Sequence, residues 1–302
     1  MSQHYPRIRV HASHGALIIR DGFWICFYMR RPNHEIAREV LRSFEIYLHA
    51  VGPQTLAWYN DHQGDWGYLD TPSWQTFRRD LLESNWSHHE LTHDPSGAPA
   101  FHFTYSCKSL GKLFEPNPPL VSAVGFCFPT EFLEEQGPDH VRELAIELGT
   151  ALPYDSGHAG LFFNAMLGYR ETEEALSRLC LRYSGMDIGD MESIAKGLNG
   201  QVKGPAWLTF LGQPVLGELG GVEGLRAHLS SPGTAVQQLE GDRAVITLGP
   251  WPEAGDTESG RNLPEYRELA RVLGSHLYRP LRSWSPYFPE DIWQRWERRF
   301  LD

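Results

Sequence analysis

The stretch ALIIRDGFWICFYM (residues 16–29) consists of two runs of β-forming residues on either side of Asp21-Gly22. An Asp-Gly pair between two such runs is a strong short-range signal for a β-hairpin, because both residues accept the backbone angles of a tight turn. The sequence therefore predicts two paired strands that meet at Asp21-Gly22.

The rest of the chain alternates between strand-like and helix-like segments. After residue 29, a helix is predicted from Asn33, with apolar residues at helical spacing, until Gly52-Pro53 stops it. Further strands are predicted at residues 54–60, 100–106, 120–128, 158–167 and 205–212, and as a hairpin over 234–250 that turns at Gly241-Asp242. Further helices are predicted at residues 71–84, 137–153, 171–184, 220–229, 263–277 and 289–300. The segment EPNPP (115–119) can continue neither element.

This order of elements predicts an α+β fold in which mixed, mainly antiparallel sheets pack with helices. The strand–helix–strand order recurs loosely in both halves of the chain. Two loosely similar subdomains, residues 1–168 and 169–302, fit this recurrence, and one continuous domain fits it equally.

The charge balance narrows the classes of partner. The 302 residues include 27 basic and 38 acidic side chains, a formal net charge of −11. Direct binding to nucleic acid is disfavoured, because phosphate contacts need a positive surface, whereas a basic protein partner fits. An acidic surface that serves only solubility is the alternative interpretation.

The location of the protein is inferred from its cysteines and apolar runs. Its four cysteines stand apart, without a C-x-x-C pair, which is typical of free thiols in a reducing compartment. The sequence contains neither a membrane-spanning run nor an apolar signal-peptide core near its first residue. A cytoplasmic protein without membrane contact is expected.

The segment NWSHHELTHDPSG (85–97) contains the pattern H-E-x-x-H at His89, Glu90 and His93. In zinc hydrolases the two histidines lie one helical turn apart and the glutamate activates a zinc-bound water. Here the residues Asp94-Pro95-Ser96-Gly97 favour a turn, so His93 is expected at the frayed end of a helix. In addition, no third zinc ligand follows at the required spacing. A zinc-dependent hydrolase remains an alternative hypothesis, and otherwise no cofactor is expected.

Two acidic clusters are the other candidate sites. Carboxylates of this kind usually belong to solvated loops, but they can also occupy the positive cleft of a nuclease where phosphates would lie. The clusters are Asp187, Asp190 and Glu192, and Glu253, Asp256 and Glu258.

Five motifs in the second half occur in an order that resembles a bacterial family. They are VKGPAWLTFLG (202–212), LGELGGVEGLRAHL (216–229), VITLGPWPEAGD (245–256), LPEYRELARVL (263–273) and WERRF (296–300). The family, formerly a domain of unknown function, comprises type VI secretion immunity proteins whose members sit beside nuclease effectors of the VRR-NUC and restriction-endonuclease-like kinds.

The resemblance implies a cytoplasmic antitoxin that binds a cognate nuclease effector and occludes its active or substrate-binding site, without catalysis of its own. The two acidic clusters are then the expected effector-binding residues. The resemblance transfers no catalytic residue. Its shared residues are of the scaffold type, namely Trp207, Gly220, Gly221, Pro250, Asp256 and Tyr266. A third interpretation is that the protein is an inert structural partner of a secretion assembly. Neither the effector nor the oligomeric state follows from the sequence.

Overall fold

The computed structural model describes residues 4–61, 64–84, 86–108, 121–280 and 285–301. The break predicted at residues 115–119 lies outside the described residues.

Twelve β-strands are found in the described part of the chain. They are β1 (Arg9–His11), β2 (Leu17–Met29), β3 (Trp58–Asn60), β4 (Trp66–Tyr68), β5 (Trp86–Thr92), β6 (His102–Lys108), β7 (Ser122–Pro129), β8 (Ser156–Ala165), β9 (Asp187–Ile188), β10 (Leu208–Leu211), β11 (Thr234–Leu239) and β12 (Arg243–Leu248).

Ten α-helices accompany these strands in the same described ranges. They are α1 (Asn33–Val51), α2 (Thr71–Glu83), α3 (Thr130–Gln136), α4 (Pro138–Thr150), α5 (Arg170–Leu179), α6 (Met191–Gly197), α7 (Val215–Glu218), α8 (Gly221–His228), α9 (Pro264–Leu273) and α10 (Glu290–Glu297).

All twelve strands belong to one sheet with the order β11-β12-β10-β8-β2-β7-β6-β5-β3-β4. Neighbouring strands in this order are antiparallel. Outside this order, β1 pairs antiparallel with the start of β2, and β9 pairs in parallel with β8. The predicted α+β class is confirmed, as is the hairpin of β11 and β12, in which Gly241 and Asp242 both have positive φ. One sheet thus joins strands from both halves of the chain, while the proposed division at residue 168 stays a prediction.

The hairpin predicted at Asp21-Gly22 is wrong, because β2 runs straight through both residues and lies at the centre of the sheet between β7 and β8. Asp21 is fully buried, and its carboxylate accepts a hydrogen bond from Ile8 N at 2.8 Å. The same carboxylate is paired with Arg9 and accepts a hydrogen bond from the Thr130 hydroxyl. These contacts stabilise Asp21-Gly22 in a strand, although the dipeptide by itself favours a turn.

Gly22 is needed in β2 because the neighbouring strand fills the space above it. A Cβ atom at Gly22 would lie 2.5 Å from Cε1 of Phe162 on β8, and that ring is stacked on Trp24 at a centroid distance of 5.0 Å.

Replacing Gly22 by alanine is expected to lower the free energy of unfolding by about 1–3 kcal/mol, because the new methyl group overpacks the Trp24–Phe162 stack. Denaturant unfolding followed by tryptophan fluorescence measures the change. Gly160→Ala on β8 is the matched control, since its Cβ would meet its nearest atom at 3.5 Å. The control is expected to be neutral or stabilising by about 0.5 kcal/mol. Equal effects of the two substitutions would contradict the packing argument.

The two faces of the sheet differ in what covers them. On one face, alternate residues of β2 such as Phe23, Ile25 and Phe27 enter the main core with α1, α2 and α4. On the opposite face, Trp24, Cys26 and Tyr28 pack under α6. Beyond α6 the second face carries the acidic cleft described next, and we call this the open face.

Candidate functional site

A cleft of about 420 Å³ lies on the open face of the sheet. Its floor consists of side chains and glycines from β2, β7, β6, β5 and β8, and one wall is the segment from Gly189 to Glu192 at the start of α6. The turn after β5 and the loop after β8 contribute further lining residues. The cleft is therefore assembled from segments that span residues 24 to 192.

Strand β5 shows why the cleft is polar. Its residues alternate, so that His89 and Leu91 are buried on the core face while His88, Glu90 and Thr92 line the cleft. The neighbouring strand β6 alternates in the same way: Phe103, Tyr105 and Cys107 are buried, and His102 and Thr104 line the cleft. Half-buried antiparallel strands have this pattern, which the sequence displays in both segments.

Glu90 projects from the floor of the cleft, with neighbours on both sides. It accepts a hydrogen bond from Asn60 Nδ2 at 3.2 Å, and its Oε1 lies 3.9 Å from His88 Nε2. His102, on the adjacent strand, contacts Thr104 Oγ1 at 3.0 Å. Burial lowers the pKa of His102, although the charge of Glu90 opposes the shift. A neutral His102 adds no positive charge next to Glu90.

The segment that opens α6 supplies the facing carboxylates. Asp190 is the N-cap of α6, since its side chain accepts a hydrogen bond from Ser193 N at 3.1 Å. Glu192 lies 3.7 Å from His88 Nδ1, accepts a hydrogen bond from Ser106 Oγ at 3.4 Å, and pairs with Lys196 one turn later at 3.4 Å. The predicted residues Asp190 and Glu192 are thus brought together with Glu90.

Negative charge dominates this cleft. Four carboxylates line it, those of Glu90, Asp94, Asp190 and Glu192, and no lysine or arginine is among the described residues of the lining. Serine hydrogen bonds, from the backbone and side chain of Ser96, lower the pKa of Asp94, which keeps this group ionised. Concave surfaces with charges of one sign concentrate the field and attract groups of opposite charge.

Exposed aromatic side chains flank the carboxylates. Trp66 and Tyr169 line the cleft and are 36% and 62% exposed. Tyr68, two residues after Trp66 on β4, is 64% exposed and meets Trp58 edge-on at 5.7 Å. Large exposed aromatics near a concave polar site are typical of protein-binding surfaces. In the sequence, Trp66 is a candidate for a protein-binding surface, with ordinary packing as the favoured alternative, whereas no pattern indicates Tyr169 or the positions of Glu90 and Asp94 in the cleft.

Asp187 lies in a different environment from Asp190 and Glu192, the other two residues of its predicted acidic cluster. It is only 9% exposed, and Lys203 Nζ, His158 Nε2 and Arg299 Nη2 lie within 3.3, 3.7 and 3.7 Å of its carboxylate. Burial alone would raise the pKa of Asp187, but the charges of Lys203, His158 and Arg299 outweigh it and lower the pKa. The structure therefore places this carboxylate in an internal ionic cluster.

The residues of the second predicted acidic cluster, Glu253, Asp256 and Glu258, pair with basic side chains away from the cleft. Asp256 is buried, receives two hydrogen bonds from Arg182 at 3.0 and 3.1 Å, and caps a short 3₁₀ helix. The Arg182 hydrogen bonds lower the pKa of Asp256 to about 2. Glu258 also pairs with Arg182, at 2.6 Å, and Glu253 pairs with His4. These three carboxylates form ion pairs within the chain, those of Glu253 and Glu258 at the surface, and do not line the cleft.

The helix end predicted at His89 and His93 is wrong, because residues 86–92 form β5 and pair with β6 over seven residues. In a strand, His89 and Glu90 point to opposite faces, and His89 packs edge-on against Phe77 of α2 at 5.2 Å. Across the described residues, no three His, Cys, Asp or Glu side chains are grouped as metal ligands. The zinc hydrolase hypothesis has no support from this geometry.

The fold and cleft define an α+β protein with an open-faced sheet and an acidic concavity flanked by aromatic side chains. A sequence-family profile described as TsiV, type VI immunity for VRR-NUC, matches residues 39–300. The chain belongs to this family, which confirms the resemblance seen in its second half.

Solved structures with the same fold include the Pseudomonas aeruginosa T6SS protein PA0821. That structure aligns with a TM-score of 0.81 and 20% sequence identity, covering 98% of this chain and 88% of the other. At this identity the likeness shows the shared fold alone. A search of curated proteins finds no significant match. Among the described residues, no helix has the length and apolar character needed to cross a membrane.

Proposed function

We propose that this protein neutralises a cognate VRR-NUC effector by presenting the acidic cleft to the effector's basic substrate-binding surface. The observation that carries the proposal is the set of four carboxylates in one concavity with no lysine or arginine in its described lining. Family membership supplies the class of effector. The carboxylates then stand where the phosphates of a nucleic acid would lie.

Electrostatics favours this arrangement on both sides of the interface. A nuclease must attract a polyanion, so the surface around its active site is positive. An acidic concavity complements that surface, accelerates encounter and disfavours partners of like charge. The net charge of −11 adds a long-range attraction to the local one.

The aromatic side chains supply the apolar part of the proposed interface. Trp66 and Tyr169 are large, exposed and line the cleft together with the carboxylates, and the exposed Tyr68 lies two residues from Trp66 on β4. Such residues can bury much apolar area and stack on arginine side chains, which are common in nucleic-acid-binding surfaces. The proposed interface therefore combines apolar burial with charge pairing.

We further propose that inhibition requires binding alone and takes place in the cytoplasm. The four cysteines are buried free thiols, which fits a reducing compartment. No catalytic role is assigned to the cleft histidines in this proposal.

The proposal is tested with the purified effector nuclease and a DNA substrate. Cleavage should stop when this protein is added at one equivalent, and calorimetry should show a stoichiometric complex. If the cleft covers the substrate site, saturating the effector with a non-cleavable DNA should weaken binding of this protein. Absence of binding at micromolar concentrations would overturn the proposed function, and unchanged affinity in the presence of DNA would overturn occlusion of the substrate site.

A further inference from the structure

A second, much smaller cavity of about 10 Å³ lies next to the cleft. Trp24 of β2 lines both spaces, and the small cavity is closed by His158 of β8, Asp187 of β9 and the cationic side chains of Lys203 and Arg299. It therefore lies at the junction between the central strands and the segment that leads into α6.

Three side chains around this cavity carry buried polar atoms without a hydrogen bond. Within the described part of the chain, no group hydrogen-bonds Trp24 Nε1 or either ring nitrogen of His158. Asp187 Oδ1 also accepts no hydrogen bond there, although it has ion-pair contacts with Lys203 Nζ at 3.3 Å and Arg299 Nη2 at 3.7 Å. Trp24 and His158 are 7% and 1% exposed, so bulk solvent does not solvate these atoms. Buried polar groups that lack a partner are rare in proteins, because each costs the desolvation of a hydrogen-bonding group.

We infer that the small cavity is the binding site of a single structural water molecule that bridges Trp24, His158 and Asp187. Its volume is at the lower limit for one water, and such waters need two to four polar partners. The indole N–H of Trp24 can only donate, and the carboxylate oxygen of Asp187 can only accept. One water accepts from the first, donates to the second, and donates its other proton to a ring nitrogen of His158.

The protonation state of His158 suits this arrangement. Burial lowers the pKa of His158 to about 4, although the charge of Asp187 opposes the shift. The ring is therefore neutral near pH 7 and keeps one nitrogen as an acceptor. It is held between Trp24, edge-on at 5.3 Å, and Tyr28, stacked at 5.8 Å.

The bridge has a consequence for the acidic cleft, which rests on the proposed function. β9 is only two residues long, and Asp187 begins the segment that continues through Gly189 into Asp190 and Glu192. A water that ties Asp187 to β2 and β8 fixes the start of this segment. Asp187 and His158 are then positioning residues for the cleft carboxylates, without contact to the effector.

The water is detected by NMR on ¹⁵N-labelled, deuterated protein. The indole N–H signal of Trp24, assigned by its loss in Trp24→Phe, should show a nuclear Overhauser effect to a long-lived water. Trp207 is the internal control, because its buried Nε1 donates to Gly249 O at 3.1 Å, and it should show none. A Trp24 signal without a water contact would overturn the inference, as would a high-resolution crystal structure with no density in the cavity.

The positioning role is tested with His158→Phe, which keeps the ring contacts and removes both nitrogens. The water contact of Trp24 should disappear, and affinity for the effector should fall about threefold to tenfold. Full affinity after loss of the water would refute the positioning role, and a retained water would refute the bridge. If the wild-type protein does not bind the effector, the proposed function is refuted, but the NMR experiment on the wild-type protein still shows whether the water is present. The NMR experiment on the wild-type protein is equally valid if the His158→Phe variant does not fold.

Discussion

The double substitution Glu90→Lys and Glu192→Lys should weaken binding to the VRR-NUC effector by about 100-fold or more. Each change replaces an attraction with a repulsion in a concave, partly desolvated site, and like-charge contacts at an interface cost several kcal/mol. A loss of 100-fold corresponds to about 2.7 kcal/mol, which two reversals of this kind readily supply. Calorimetry at physiological salt measures the affinity, and residual nuclease activity measures the loss of neutralisation.

The design separates the local charge of the cleft from the net charge of the protein. Glu223→Lys and Glu240→Lys change the formal charge by the same four units, at exposed positions on α8 and in the β11–β12 turn. This control should change affinity by less than about fivefold, mainly through the association rate. Glu90→Gln with Glu192→Gln should give an intermediate loss. Equal losses from the cleft variant and the control would show that the cleft is not the interface.

Asp190 is excluded from this reversal for a structural reason. Its side chain caps α6 through Ser193 N, and removing an N-cap costs about 1 kcal/mol of helix stability. A loss of affinity after Asp190→Lys would therefore mix a displaced helix with a lost charge.

The sequence allows the class of fold and most of its elements to be predicted, because the hydrophobic period of most segments agrees with their final structure. It fails at Asp21-Gly22, where local turn preference is overridden by the Arg9 and Thr130 contacts of Asp21. These partners lie 12 and 109 residues away, so no local pattern reveals them. Gly22 has an equally non-local cause in Phe162.

The segment at residues 86–92 shows a different kind of failure. Its alternation of His89 and Leu91 with His88 and Glu90 is visible in the sequence, and it predicts a half-buried strand. The H-E-x-x-H pattern instead predicts a helix, because the two histidines bind zinc only when they lie one helical turn apart. The two-residue period of a strand places Glu90 and His88 together on one face, which is the open face of the sheet.

The candidate site could be predicted only in part. Two of its four carboxylates, Asp190 and Glu192, belong to a visible acidic cluster, whereas Glu90 and Asp94 join them through sheet pairing. Sequence alone also cannot tell an exposed carboxylate from a buried one. Asp187 is buried and paired because His158, Lys203 and Arg299 come from distant segments to meet it, whereas Asp190 caps α6.

Asp187→Asn should lower the free energy of unfolding by about 3–5 kcal/mol at pH 7. The substitution keeps the size of the side chain but removes the carboxylate that lies closest to the largely buried cations of Lys203 and Arg299. Glu297 also faces these cations, but burial raises its pKa, so it compensates their charge less well. Removing one partner of a buried ion pair costs this much, because the remaining charge stays desolvated without compensation. Urea denaturation, followed by circular dichroism, measures the change.

Asp242→Asn is the matched control for this substitution. Asp242 lies exposed in the β11–β12 turn at a φ of 53°, a conformation that asparagine also adopts, so the control should change stability by less than about 0.5 kcal/mol. If Asp187→Asn instead keeps near-native stability and reduces effector affinity more than tenfold, Asp187 contacts the effector directly. The expected result instead identifies Asp187 as an internal counter-ion, whose effect on binding arises through the segment that carries Asp190 and Glu192.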